Sequence, residues 1–139
     1  MSCRFRSGFT ILELLIVIAA VGLLVVLGAF SLSSARSRLR DTQRVSDISV
    51  LRSTLSQYWL EKATYPVSDG VNLGQTDPAM LAPYLPRIPV GPKVNEFYKY
   101  RGGAQGYSLR FQTERDTAFG KSGVYYAHTS GIDTKDEIK

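Results

Sequence analysis

A single carboxylate in an otherwise apolar segment is the residue whose chemistry most needs explaining. Glu13 lies in residues 9–30, where the only other polar side chain is Thr10. A charged side chain at the centre of a bilayer costs about 2.5–3.5 kcal/mol on insertion scales. Glu13 is near the start of the segment, so its carboxylate could reach the interface. The alternative is a cation inside the apolar layer. Because no lysine or arginine lies between Arg6 and Arg36, that cation must come from another chain or from an amino terminus made by cleavage nearby.

The length of the apolar segment favours a membrane-spanning helix. Its 22 residues correspond to about 33 Å of helix, which matches a bilayer core of about 30 Å. A small domain could not cover a helix that is apolar on all sides. A cleaved secretory signal is the alternative, with Arg4 and Arg6 as its basic start and small residues at 33–35 as its cleavage site. The apolar run exceeds the roughly 7–15 residues typical of such signals.

The stretch GFTILE at residues 8–13 follows a short basic leader and begins the apolar segment. It resembles the prepilin signature of type IV pilins and type II secretion pseudopilins. The resemblance implies that prepilin peptidase cuts between Gly8 and Phe9, and that Phe9 is then N-methylated. It also implies that Glu13 pairs with the new Phe9 amine of a neighbouring subunit during assembly. Such a pair would favour one stagger between subunits, since opposite charges attract strongly in a low-dielectric layer.

The resemblance further implies an α+β, pilin-like fold, with a long N-terminal helix that packs on a small antiparallel sheet. The implied location is a single pass of the bacterial inner membrane, with a cytoplasmic N-terminus and an extracytoplasmic head, followed by a pilus or pseudopilus. The implied partners are prepilin peptidase, other pilin or pseudopilin subunits, the inner-membrane assembly platform and membrane lipid. The expected segments are the leader (1–8), the transmembrane or filament-core helix (9–30), its amphipathic continuation (31–63) and the head (64–139).

Two glycines, Gly22 and Gly28, interrupt the apolar segment. Each could loosen the helix by about 1 kcal/mol relative to alanine. Each could equally allow close packing of helices in a membrane or fibre. The sequence leaves both interpretations open.

The helical pattern continues beyond the apolar segment. Residues 31–63 contain no proline or glycine, and their apolar side chains recur mostly at steps of three or four. The stripe is most regular over residues 45–59, where we expect the head to pack. The helix should end near Ala63, because Pro66 disfavours a helical conformation at Tyr65.

Alternating, aromatic-rich stretches predict about three strands, at residues 96–101, 107–113 and 123–128. The GGAQG stretch at 102–106 is expected to be a hairpin loop rather than a phosphate-binding loop. All six prolines fall between residues 66 and 92. That region is therefore predicted to be a proline-punctuated connection rather than part of a sheet.

The basic excess of the chain, whose net charge is +5, is concentrated after the apolar segment. Residues 31–62 carry six basic and three acidic side chains. A solvated or headgroup-facing helix is the simpler interpretation. The alternative is a minor pilin of DNA uptake that binds nucleic acid through a basic helix patch. The candidate contacts to anionic lipid or DNA are Arg36, Arg38, Arg40 and Arg44.

Catalytic and metal-binding patterns are sparse, so we expect a structural subunit rather than an enzyme or a secreted catalyst. The one cysteine, Cys3, cannot form an intrachain disulfide, and the one histidine, His128, has no second ligand nearby in sequence. Major pseudopilins bind calcium in a C-terminal loop, which makes Asp133 and Asp136 the candidate ligands by resemblance. The matching motif is not recognisable there, and no other cofactor is expected.

Overall fold

The structure is a computed structural model that describes residues 8–75 and 81–139. The described residues divide into two compact units, with the boundary between Arg36 and Ser37. One helix, α1 (Ile11–Lys62), contributes its first part to the first unit and the rest to the second.

In the first unit, the apolar segment is a helix whose side chains are exposed among the described residues. Its large hydrophobic side chains range from 48% exposed at Val17 to 84% exposed at Ile11. An 18-residue window of α1 has a mean hydropathy of 2.9, and none of that window is buried. In length and composition this part of the helix could cross a membrane.

The second unit is a head in which the remainder of α1 packs against one antiparallel sheet. The strands are β1 (Ser68–Leu73), β2 (Tyr98–Gly103), β3 (Gly106–Thr113), β4 (Gly123–Ala127) and β5 (Ile132–Asp133). They lie in sequence order across the sheet, and each pairs with the next. The α+β, pilin-like fold expected from the sequence is therefore observed.

The sheet has two more strands than the three expected. β2, β3 and β4 match the predicted stretches, whereas β1 falls within the region interpreted as a proline-punctuated connection. That interpretation is wrong for residues 68–73, which lie between prolines and contain none. β1 is an edge strand with an irregular register between Ser68 and Val71. An edge position needs only one row of ladder bonds, so a stretch with little β propensity can occupy it.

The core of the head lies between one face of α1 and one face of the sheet. Ile48, Leu51 and Leu55 are at most 1% exposed on the helix side. Alternate residues of the strands supply the other side, where Tyr100 and Leu109 face each other across β2 and β3. The stripe of apolar residues predicted for this part of the helix is thus the packed one.

The helix ends at Lys62, next to the predicted position. Ala63 follows with a left-handed backbone (φ 52°), and its N–H donates to Trp59 O at 2.8 Å. This geometry closes the last turn of α1. Tyr65 N–H then donates to Ala104 O at 3.2 Å, which ties the chain to the β2–β3 turn.

The hairpin loop in the GGAQG stretch is shorter than expected, and one of its glycines, Gly102, allows close packing. Gly102 and Gly106 belong to β2 and β3, so only Ala104 and Gln105 form the turn. A Cβ on Gly102 would lie 2.1 Å from Tyr100 Oη and 2.2 Å from Pro66 O. The Tyr100 hydroxyl donates to that same Pro66 carbonyl at 2.7 Å. Glycine at this position therefore makes room for a buried hydrogen bond.

Candidate functional site

The start of α1 is set by local chemistry around Thr10 and Glu13. The Glu13 N–H donates to Thr10 Oγ1 at 3.2 Å, and Leu14 N–H donates to Thr10 O at 3.2 Å. A threonine cap with glutamate three residues later is the capping-box spacing. A carboxylate in the first turn is also favoured by the helix dipole. Glu13 therefore has a local role in beginning the helix.

The Glu13 carboxylate itself is left exposed to its surroundings. Within residues 8–75 and 81–139 it has no ion pair and accepts no hydrogen bond. Gly8 and Phe9 precede the helix, and Phe9 is 75% exposed. The leader ahead of Gly8, including Cys3, lies outside the described residues.

The exposed apolar surface of the first unit is too large to face water in a stable state. Contiguous exposed apolar patches beyond a few hundred Å² mark membrane or protein interaction sites. Every large hydrophobic side chain from Phe9 to Phe30 is at least 48% exposed. The segment therefore has the exposed apolar surface of a membrane or protein interaction site.

The four arginines proposed as one basic patch occupy different environments. Arg36 and Arg38 are exposed. Arg40 donates from Nε to Glu114 Oε1 at 2.9 Å, and its Nη2 contacts Glu114 Oε2. The Arg44 side chain is only 2% exposed. Arg44 is thus unavailable to a surface ligand, and the structure does not join these side chains into one patch.

Arg44 is instead the centre of a charged cluster between α1 and the rest of the head. Its Nε and Nη2 donate to the two carboxylate oxygens of Glu96 at 2.6 and 2.8 Å. Its Nη1 donates to Asp41 Oδ1 at 2.7 Å, and Nη2 lies 2.8 Å from Glu114 Oε1. The paired geometry to Glu96 is the strong form of an arginine–carboxylate contact. We call this group the Arg44 cluster: Arg40, Asp41, Arg44, Lys93, Glu96 and Glu114.

The cluster also satisfies backbone groups where β3 ends. Asp41 accepts hydrogen bonds from the backbone N–H groups of Glu114 and Arg115, both at 2.9 Å. Lys93 Nζ lies 3.1 Å from Glu114 Oε1. The hydrogen bond from Arg40 lowers the pKa of Glu114 well below its ordinary value, with Arg44 and Lys93 adding to the effect of Arg40 and burial opposing it. Glu114 therefore stays ionised and holds the helix to the sheet.

The Arg44 cluster was not predicted from the sequence, although part of its signal was present. The buried positions of α1 are 41, 44, 48, 51, 54 and 55, and all except Thr54 follow steps of three and four. Extending the apolar stripe by that spacing reaches Asp41 and Arg44. Apart from the pair that they form with each other, their carboxylate and backbone partners come from loops at least 52 residues away in sequence. Spacing alone could not identify those partners.

The two candidate calcium ligands are each engaged by side chains of the head. Asp133 Oδ2 lies 3.1 Å from Lys139 Nζ, and Asp136 Oδ2 lies 3.2 Å from Arg101 Nη1. The backbone N–H of Lys135 lowers the pKa of Asp133 to about 2, with Lys139 contributing and burial opposing. Among the described residues, no group of three or more His, Cys, Asp or Glu side chains is placed to hold a metal ion.

His128 is a fully buried structural residue of the head. Its Nδ1 lies 3.2 Å from Tyr107 O, and its Nε2 lies 3.2 Å from Asp133 Oδ1 and 3.1 Å from Lys135 O. These contacts hold the C-terminal segment against the sheet.

Comparison with known proteins finds relatives that share one name, type II secretion system core protein G. The chain is 28% identical over 111 residues to the protein of Vibrio cholerae serotype O1, covering 74% of this chain and 76% of the relative. It is 29% identical over 115 residues to that of Aeromonas hydrophila, covering 76% and 80%. It is 28% identical over 110 residues to that of Escherichia coli K12, covering 73% and 76%. No protein-family profile matches the chain. No solved structure matches it.

Proposed function

We propose that this chain belongs to the type IV pilin and type II secretion pseudopilin family, and that it is a structural subunit of a type II secretion pseudopilus. The observation that carries the proposal is its similarity to core protein G over about three-quarters of its length, in a chain whose first helical segment is apolar and uncovered. That segment is the surface through which subunits would assemble.

Assembly through this segment exchanges one apolar environment for another. In the membrane, lipid tails cover the exposed side chains, and in a filament the helices of neighbouring subunits do so. Helix association in lipid gains little from hydrophobicity, since the tails are as apolar as leucine. Packing and polar contacts must therefore select the geometry, and Glu13 carries the only charge between Phe9 and Phe30.

Glu13 would select the stagger of subunits by pairing with the Phe9 amine of a neighbour. Its carboxylate has no partner within the described residues, and the segment encodes no basic side chain. A buried charge left without a partner is strongly destabilising. An arrangement that brings an amine to Glu13 is thus favoured over arrangements that do not.

The amine requires cleavage by prepilin peptidase between Gly8 and Phe9, followed by methylation of Phe9. The exposure of Gly8 and Phe9 ahead of the helix is compatible with access by a peptidase. In this proposal the leader is cytoplasmic and the head is extracytoplasmic. The chain crosses the inner membrane once before the assembly platform extracts it.

A minor pilin of DNA uptake is not favoured. Two of the four arginines proposed for DNA contact are occupied, because Arg40 pairs with Glu114 and Arg44 is buried in its cluster. No calcium role is proposed for Asp133 and Asp136, since each carboxylate already meets a cation of the head.

Processing can be tested by mass spectrometry of the mature N-terminus after expression with prepilin peptidase. A mass that begins at Phe9 and carries one extra methyl supports the proposal. A chain that begins at Arg36 would identify a cleaved secretory signal and overturn it.

The pairing role can be tested with Glu13→Gln, which keeps the shape of the side chain and removes its charge. We expect normal membrane insertion, measured by resistance to alkaline extraction, and at least about a tenfold loss of filament assembly beside wild type, measured in sheared fractions. Glu13→Asp is the matched control, which keeps the charge and should retain part of the assembly. Full assembly of the Gln variant would remove the proposed role.

A further inference from the structure

The outer face of the sheet, opposite the helix, carries two cations side by side. The β2–β3 register places Lys99 directly opposite Arg110, and both side chains are exposed. Opposed side chains on one face have Cβ atoms about 4.5–5.5 Å apart, and like charges at that position are destabilising. We call Lys99 and Arg110 the basic row. Among the described residues, neither has an ion pair or hydrogen bond that would offset this repulsion.

The side chain of Lys99 lies against the neighbouring edge strand, β1. A Cβ on Gly70 of β1 would lie 3.0 Å from Lys99 Cε and 3.7 Å from its Nζ. Gly70 thus leaves room for the lysine stem to lie across β1. The ammonium therefore lies on the β1 side of β2, whereas Arg110 belongs to β3 on the other side.

The neighbouring pair of residues on the same face shows how a cation there is paired with a carboxylate. Arg101 lies opposite Ser108, and Asp136 of the C-terminal segment covers both. Asp136 Oδ2 lies 3.2 Å from Arg101 Nη1, and the Ser108 hydroxyl donates to Asp136 Oδ1 at 3.1 Å. The chain therefore already places one acidic segment of its own on this face. The basic row, one step along the strands, is left open.

We propose that the basic row is a docking site for an acidic segment of another protein chain, whose carboxylates bind Lys99 and Arg110. We expect the partner's carboxylates to be bound as the Asp136 carboxylate is bound by Arg101 and Ser108. Asp136 borders the row, so a polyphosphate running along the face would meet a negative charge, whereas the separate carboxylates of a peptide need not. Docking at this face would be separate from subunit assembly and would not involve the apolar segment.

The test uses the full chain in neutral detergent micelles and a short fluorescein-labelled peptide of alternating aspartate and glutamate. Fluorescence anisotropy should show binding that weakens as salt rises. Lys99→Glu should weaken the peptide's affinity at least about tenfold. The same variant should raise the melting temperature of the head, because the introduced carboxylate would face Arg110 as an opposite-charge pair. Loss of binding in a more stable protein separates a docking defect from unfolding.

Arg87→Glu is the matched control, since it reverses an exposed cation outside the sheet. It should change the peptide's affinity less than about twofold. Equal losses in Arg87→Glu and Lys99→Glu would reveal only general charge attraction and overturn the proposal. Single-stranded DNA and short-chain phosphatidylglycerol serve as competitors. If either binds more tightly than the peptide and in a Lys99-dependent manner, the site is for phosphate and the proposed occupant is wrong.

Discussion

The two parts of α1 reverse the usual relation between polarity and exposure. In the first unit, apolar side chains such as Ile11 and Leu24 are exposed (84% and 67%). In the head, Asp41 and Arg44 on the same helix are buried (5% and 2%). Charged side chains are rarely buried unless they are paired. Asp41 and Arg44 are buried because they have partners within the head, whereas the described residues do not cover the apolar side chains of the first part.

The largest effect is expected from Arg44→Met, which removes the centre of the Arg44 cluster and leaves the carboxylates of Asp41 and Glu96 without their arginine partner. We expect a loss of about 3–5 kcal/mol in the free energy of unfolding of the head. Urea titration followed by the fluorescence of Trp59, the one tryptophan, measures it. Trp59 stacks on Tyr65 with ring centroids 4.8 Å apart, so its emission reports the folded head.

Arg38→Met is the control for that measurement, because Arg38 is exposed on the same helix. It should change the free energy of unfolding by no more than about 0.5 kcal/mol. Equal effects of the two variants would contradict the assignment of Arg44 as a buried partner.

A glycine-to-alanine pair compares the two regions with one chemical change. Gly102→Ala places a methyl group against Tyr100 Oη and Pro66 O, and should cost roughly 2–4 kcal/mol in the stability of the head. Gly22→Ala meets nothing within 4 Å. It should leave urea unfolding of the head unchanged and favour the helix by up to about 1 kcal/mol. Impaired assembly of Gly22→Ala would show that neighbouring helices approach closely at this residue.

Acid should destabilise the head through its paired carboxylates. The pKa of Glu114 is lowered from its ordinary 4.5, first by the Arg40 hydrogen bond, and that of Asp133 is lowered from 3.8 to about 2. Both groups therefore stabilise the folded head above their unfolded pKa values, and this stability is lost as pH falls toward their folded values. The melting temperature should be nearly constant from about pH 7 to pH 5 and fall below that.

Glu114→Gln tests the origin of the acid effect. The variant should melt at a lower temperature at neutral pH and lose less stability between about pH 5 and pH 2 than the wild type. An unchanged acid slope would assign the effect to other carboxylates.

The smallest effect is expected from Ala63→Gly at the end of α1. Ala63 has φ 52°, a conformation that disfavours residues with a Cβ. Glycine relieves this strain but loses more backbone entropy on folding, so we expect a net gain of about 0.5–1 kcal/mol in the stability of the head. Ala127→Gly is the control, since Ala127 is buried in β4. It should destabilise the head.

The features that could be predicted are those decided by neighbours in sequence. The GFTILE motif and the apolar run are contiguous, and Pro66 restricts only the residue before it. The alternation in β2 and β3 is likewise visible within each strand. The sites at Gly8, Phe9 and Glu13 remain predictions, because their partners belong to a peptidase or to other subunits.

Within the head, only the tertiary structure decided which charges are paired. In the sequence, Arg40 and Arg44 resemble Arg38, yet two are paired and one is exposed. The difference depends on carboxylates that the fold brings from 52 or more residues away. β1 was missed for the same reason, since an edge strand is stabilised by its pairing with β2 more than by its own residues. By itself, then, the sequence determined the apolar helix and its terminal motif, because local periodicity and spacing encode them. The tertiary structure decided which charged side chains are buried. Their burial requires partners that are distant in sequence and that only the fold brings together.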